Sequence, residues 1–411
     1  MIYVFSIFII LYLILRGILI YLGYIGKKTP ENEKLALKYF SNEDIKKGID
    51  YHRRGFPISI IWKIINFVFP IVFFISGLSI FFSSFFQKIT ANNSMQVILY
   101  IITYSVIQLI INLPFTYYFT YILEHKFGFS NMNIKSWIIY NLKKFIIGLI
   151  FSIIVISAVY FIFRKTNFHW VWIIPVFILF FELFITLIYP YIILPLFYKK
   201  SNFENNEYTK PIIEIAEKCG IKLKKLYQIN ESKYSKHTNA FFTGFGPEKS
   251  IYIFDTLVKN NTPKEVASVV AHEAGHWKHH HILKHVVLNF ITSLIISLLL
   301  YFTYPSIIDK NITPLEDIAG LPIILFIIDI YSFFLNPLQN YISRKFEKTA
   351  DNYELKATGD KETFIKSMVQ LAKDNHIFLY PHPFSNFWYA THPSILERIK
   401  MAEEFKEDTN V

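Results

Sequence analysis

The chain has 411 residues, 53% hydrophobic and only 18% charged, with 18% aromatic and a formal net charge of +11. Soluble domains run at about 45–50% apolar and about 25% charged, so this composition excludes a disordered chain, a collagen-like fibre and a small disulfide scaffold. In a soluble protein the basic surplus would suit nucleic acid. Beside membrane spans it fixes topology and meets anionic lipid, so lipid is the expected partner and nucleic acid is not.

Seven apolar segments follow one another: Ile2–Ile25, Ile58–Phe86, Met95–Leu123, Trp137–Phe163, Trp170–Phe197, Ile282–Tyr304 and Leu321–Ile342. Most are long enough to cross about 30 Å of hydrocarbon as a helix. The first has no basic residue before its apolar run and no small-residue cleavage site, which reads as a retained span with its N-terminus outside. The loop after it carries Lys27, Lys28, Lys34, Lys38, Lys46, Lys47, Arg53 and Arg54; the loop after span two has Lys88 alone, and the loop after span six only Lys310. This alternation predicts that loops one, three, five and the C-terminus face the cytoplasm. Glu182 and Asp329 lie inside spans, where ionisable groups usually face a cavity or a partner. Cys219 is the lone cysteine, so an intrachain disulfide and a thiolate metal cluster are excluded.

Two long polar regions remain, about 198–281 and 343–411, both on the cytoplasmic side of a seven-span topology. The expected organisation is membrane helices one to five with their loops over 1–197, a polar segment over 198–281, spans six and seven over 282–342, and a C-terminal polar segment over 343–411, the two polar segments forming one shared domain. In the first polar region Phe241, Phe242 and Ser250–Asp255 have strand composition, with a turn predicted at Gly244–Pro247. An edge strand there could take an extended substrate by strand addition.

The chemistry is concentrated just after it. Thr262, Pro263 and Glu265 form a helix start: N-cap, first-turn proline and capping box. The helix then carries His272-Glu273-Ala-Gly-His276. Residues four apart lie about 40° apart around a helix, so both imidazoles reach one ion, and neutral imidazole suits zinc. Glu273, next to that face, is positioned to hold and deprotonate a water. The nearby His279, His280, His281 and His285 read as an interfacial polar cluster. A catalytic zinc needs a third protein ligand. Glu347 and Asp351 share a helical face after span seven; one carboxylate can bind the metal while the other orients a ligand imidazole.

Together, Ala271-His-Glu-Ala-Gly-His276-Trp and Asn340-x-x-Ser-Arg344-x-x-Glu347-x-x-Ala-Asp351 resemble the CAAX prenyl protease 1 family of integral-membrane zinc peptidases. Tyr39–Gly48, Pro114-Phe-Thr-Tyr-Tyr with Glu124–Phe129, His237-Thr-Asn239-Ala240, and Thr391-His392 with Arg398 resemble other family segments in order and spacing. Thr238 departs mildly from the more usual Ser. The resemblance implies one Zn²⁺ per chain on His272, His276 and Glu347, with Glu273 as base and His392 stabilising the oxyanion. It implies Asp351, Arg344 and Asn340 as supports, Asn239 and Ala240 as substrate-facing, and Arg398 as supporting the site or binding substrate. The implied fold is an all-α polytopic membrane protein, seven helices around a chamber, with a cytoplasmic zincin-like α+β metalloprotease domain. The implied substrates are proteins ending in a prenylated cysteine plus three residues. Cleavage of misfolded membrane proteins, as by heat-shock-type membrane zinc peptidases, is the alternative on the same chemistry. A metal transporter using Glu182, Asp329 and His279–His285 is the non-enzymatic rival, disfavoured because His272, His276 and Glu347 lie outside the spans.

Overall fold

The computed structural model describes residues 2–204, 206–243, 248–308 and 313–406. The turn predicted at Gly244–Pro247 and the loop residue Lys310 lie outside them.

The first half is helical: α1 (Ile2–Ile25), α2 (Pro30–Tyr39), α3 (Asn42–Ile75), α4 (Leu78–Ile89), α5 (Asn93–Tyr117), α6 (Glu124–Lys126), α7 (Ile134–Lys165), α8 (Trp170–Ile188) and α9 (Leu194–Phe197). Seven helices among the described residues are long and apolar enough to cross a membrane. Their outer faces fit lipid rather than water. On α7, for example, Ile138, Leu142, Ile146, Ile150 and Ile154 recur every fourth residue and are all exposed. The inner faces form an aromatic-rich core in which Tyr12, Tyr100 and Tyr160 are fully buried.

Span two differs from the expected single run Ile58–Phe86. Its helix starts at Asn42, capped by Ser41, and stops at Ser76 and Gly77, where Gly77 adopts φ +80° before α4 begins. A glycine in the left-handed region is a common helix stop, and an apolar count does not register it.

The second half builds a small α+β unit. It contains β1 (Lys200–Asn202), α10 (Asn206–Lys218), β2 (Lys222–Ile229), β3 (Ala240–Thr243), β4 (Glu248–Phe254), α11 (Asp255–Asn260) and α12 (Pro263–Lys278). The sheet runs β1-β2-β4-β3, with β2 parallel to β4 and the outer pairs antiparallel. β3, where strand character was predicted, is an edge strand; β1 and β2 were not anticipated. Then α13 (His281–Ile307) and α14 (Leu321–Thr358) form the membrane hairpin, and α15 (Lys361–Asp374), α16 (Pro383–Tyr389) and α17 (Ile395–Glu404) complete the chain. α14 is one unbroken helix of 38 residues from the apolar span through Glu347 and Asp351. Membrane bundle and polar unit are thus joined by a continuous rod.

A second joint lies at α3. Gly48 packs against the backbone of Ile377, and an added Cβ would stand 2.6 Å from its carbonyl oxygen. His52, one turn on, stacks on Phe378 at 4.4 Å. Gly48→Ala is therefore expected to destabilise by about 1–3 kcal/mol through overpacking. Thermal unfolding of the detergent-purified protein measures this, and an unchanged midpoint would contradict the joint.

Candidate active site

Helix α12 starts as its sequence dictates. Thr262 Oγ1 accepts from the Glu265 amide, the Glu265 side chain accepts from the Thr262 amide at 2.7 Å, and Pro263 takes the first turn. One face of α12 is buried through Val266, Val270, Ala271 and Ala274. Gly275 lies where α12 crosses α14: a Cβ there would come within 2.9 Å of Ala350 Cα. This close approach sets His272 and His276 opposite Glu347.

The three side chains converge. His272 Nε2 is 3.4 Å from Glu347 Oε2, and His276 Nε2 is 3.4 Å from Glu347 Oε1. The two imidazole Nε2 atoms are 3.1 Å apart. All three donors lie within 4.8 Å of one another, a spacing that one metal ion could bridge. Glu347 Oε2 is buried without a hydrogen-bond partner. Glu273, Glu347, Asp351 and Glu354 crowd this region, with Arg398 as the cation among them. Two imidazoles, an orphaned carboxylate oxygen and a surplus of negative charge fit a divalent cation.

The other nitrogens of the two imidazoles have neighbours of their own. His272 Nδ1 is 2.9 Å from Asp351 Oδ1 and 3.5 Å from Glu354 Oε2, though off the line of a hydrogen bond to either. Burial opposes a charge on His272, but Asp351, Glu347 and Glu354 outweigh it and hold the ring well above the usual histidine range. Asp351 is clasped by both Arg398 Nε and Nη2, the former at 2.9 Å. Arg398 thus supports Asp351 behind the ring and also lines the cleft. Its carboxylate neighbours keep the guanidinium charged despite burial. Burial and the nearby His272 push His276 down to about 4, which favours the neutral, metal-binding form.

Glu273 lines the cleft beside His272, and burial pushes its carboxyl up to about 7. His392 enters the same cleft, with Nε2 3.4 Å from Glu347 Oε1 and Nδ1 2.8 Å from Thr391 Oγ1. Asn239 and Ala240 form the opposite lip at the start of β3. Ala240 is buried, and its amide donates to Asn239 Oδ1 at 2.8 Å. Arg344 and Asn340 act further out than expected. Arg344 donates to the carbonyls of Asn386 and Ala390, and Asn340 donates to Trp388 O at 2.6 Å; together they pin α16 and the loop leading to His392.

Two residues were not anticipated. Glu354 accepts from Ser268 Oγ at 2.5 Å and flanks His272. His281, expected only as part of a polar cluster, is buried with Nδ1 2.9 Å from His276 Nδ1 and its ring stacked on Phe346. Glu354 continues the face of Glu347 and Asp351 at i+7 and i+3, a spacing visible in the sequence. His281 follows a left-handed residue, His280, so helical spacing does not reveal its placement.

Two sequence profiles match: "CAAX prenyl protease N-terminal, five membrane helices" over residues 4–199 and "Peptidase family M48" over 202–406. CAAX prenyl protease 1 of Saccharomyces cerevisiae is 30% identical over 312 residues, covering 71% of this chain and 68% of that protein. The chain belongs to the CAAX prenyl protease 1 family. A Taenia solium homologue of CAAX prenyl protease 1 is also 30% identical, covering 69% of this chain and 67% of its own. The crystal structure of S. mikatae Ste24p superposes with a TM-score of 0.79 at 26% identity, covering 95% of this chain and 96% of the other. Membership makes this an integral-membrane metalloprotease acting on peptide bonds, with the seven-helix chamber fold, and sets aside the transporter reading.

The Arg398–Asp351 pair gives a direct test. Arg398→Leu leaves a buried carboxylate unpaired, expected to cost about 3–5 kcal/mol and to lower metal affinity about 10–100-fold. Metal content after dialysis and thermal unfolding measure both; wild-type values for the two would contradict the arrangement.

Proposed function

We propose that the chain is a zinc metalloendopeptidase that removes the last three residues of proteins ending in a prenylated CAAX sequence, with one Zn²⁺ held by His272, His276 and Glu347. The observation that carries the reading is the convergence of these three donors beside Glu273, in a cleft of about 210 Å³ lipped by β3. Its relatives' name, CAAX prenyl protease, supplies the substrate class.

When bound, zinc supplies a Lewis acid for the scissile carbonyl and lowers the pKa of its water. Glu273 takes a proton from the attacking water and delivers it to the leaving amine, a role suited to a carboxyl raised to about 7. His392 donates to the carbonyl oxygen as its negative charge builds. Asp351, held by Arg398, orients His272. The free edge of β3 offers amide and carbonyl groups to an extended peptide, with Asn239 at its entrance. The catalytic unit comprises 198–281 and 343–411, split by the hairpin over 282–342 and lying on the cytoplasmic side, as the basic first loop directs. The substrate's prenyl group lies against apolar walls, and membrane lipid surrounds the bundle.

Glu273→Gln should retain one zinc per chain and lose at least about 10²-fold in cleavage. Chelation should abolish cleavage of a farnesylated CAAX peptide, and added zinc should restore it. Full activity in the variant, or chelator-insensitive cleavage by contaminant-free protein, would sink the assignment.

A further inference from the structure

Two cavities of about 650 Å³ each lie away from the metal cleft, inside the helical bundle and beneath α16. Both are lined by charged groups that the mechanism above does not use. Arg16 and Asp329 line the first; Lys63 and Tyr389 line the second. Arg16 Nη1 is 3.5 Å from Asp329 Oδ2, which also accepts from Tyr12 OH at 2.8 Å. Lys63 is half-buried, its Nζ over the Tyr389 ring at 5.7 Å, and close enough to Arg16 for the two cations to act on each other. Among the described residues no carboxylate pairs with Lys63 within 4.0 Å. Asp329 is thus paired with Arg16, and Lys63 is left without a carboxylate among the described residues. A charged group within a membrane span normally has a partner or faces a site that receives one.

We propose that Lys63, backed by Arg16, receives the C-terminal carboxylate of the peptide being cleaved. The inference rests on the CAAX reading above, in which the chain end lies three residues from the scissile bond. The Lys63 ammonium lies over the ring of Tyr389, and the preceding residue, Trp388, accepts through its carbonyl from Asn340, two helical turns before Glu347 on α14. The second cavity also runs along Asn386 and Ala390, the segment that leads to His392. A carboxylate on Lys63 thus fixes the register: the protease measures three residues back from a charged end, and an internal segment lacks that anchor.

The test uses the zinc-loaded full chain and two farnesylated peptides of one sequence, one ending in a free carboxylate and one in a carboxamide. The acid is expected to be cleaved with a kcat/KM about 10–100-fold above the amide, the effect of a hydrogen bond between charged groups. In Lys63→Met that ratio should fall to about one, and Lys63→Arg should restore it. Equal cleavage of both peptides by the wild type would overturn the proposal without need of any variant, and so would a wild-type ratio in Lys63→Met. An unchanged ratio accompanied by lost stimulation from phosphatidylserine vesicles would assign Lys63 to a lipid head group instead. Failure to cleave either peptide, with continued hydrolysis of an unprenylated unfolded membrane protein, would contradict the CAAX reading itself and this inference with it.

Discussion

Gly275 and Ala350 meet where α12 crosses α14, and the placement of the three proposed metal donors depends on that contact. Two imidazoles come from one helix and the carboxylate from the other. Any side chain at position 275 would wedge the helices apart, because the nearest atoms include Ala350 backbone. Interiors are packed too tightly to absorb such a shift without moving neighbours. A displacement of 1 Å would be enough to loosen a ligand set whose bond lengths are about 2.0–2.2 Å.

The crossing is held from behind by charge. Arg398 on α17 grips Asp351 on α14, and Asp351 flanks His272 on α12, so three helices meet in one polar line. Buried ion pairs of this kind add little net stability, but losing one partner strands the other. The line therefore acts to fix orientation. His281 does the corresponding work at the other ring, from the first residue of a membrane helix. The hairpin between the two polar segments is thus wired into the site at both ends: α13 enters beside His276, and α14 carries Glu347 itself.

Much of this was legible in the sequence because it rests on local rules. The seven spans follow from apolar length, and the α12 start from Thr262, Pro263 and Glu265. The ligand helix follows from two histidines four apart, and Glu347 and Asp351 from their shared helical face. What stayed hidden depends on tertiary approach. The break at Gly77 needed a backbone conformation. β2 carries Lys222, Lys224 and Lys225 among its apolar residues and pairs in parallel with a strand some twenty-five residues on, a contact no local pattern reports. Arg398 bears a charge that suits substrate, and its partner Asp351, supplied by α14, is a contact that only the folded structure shows. Lys63 reads within its span as an ordinary basic interruption; only the cavity beside it and the absence of a paired carboxylate among the described residues mark it out.

In the proposed function one zinc is shared by α12 and α14. X-ray absorption at the zinc edge of the purified chain tests this most directly. The prediction is one zinc per chain with two imidazole nitrogens and carboxylate oxygen at about 2.0–2.2 Å, and loss of the carboxylate shell in Glu347→Ala. A zinc shell containing sulfur from Cys219, or a shell unchanged in that variant, would contradict it.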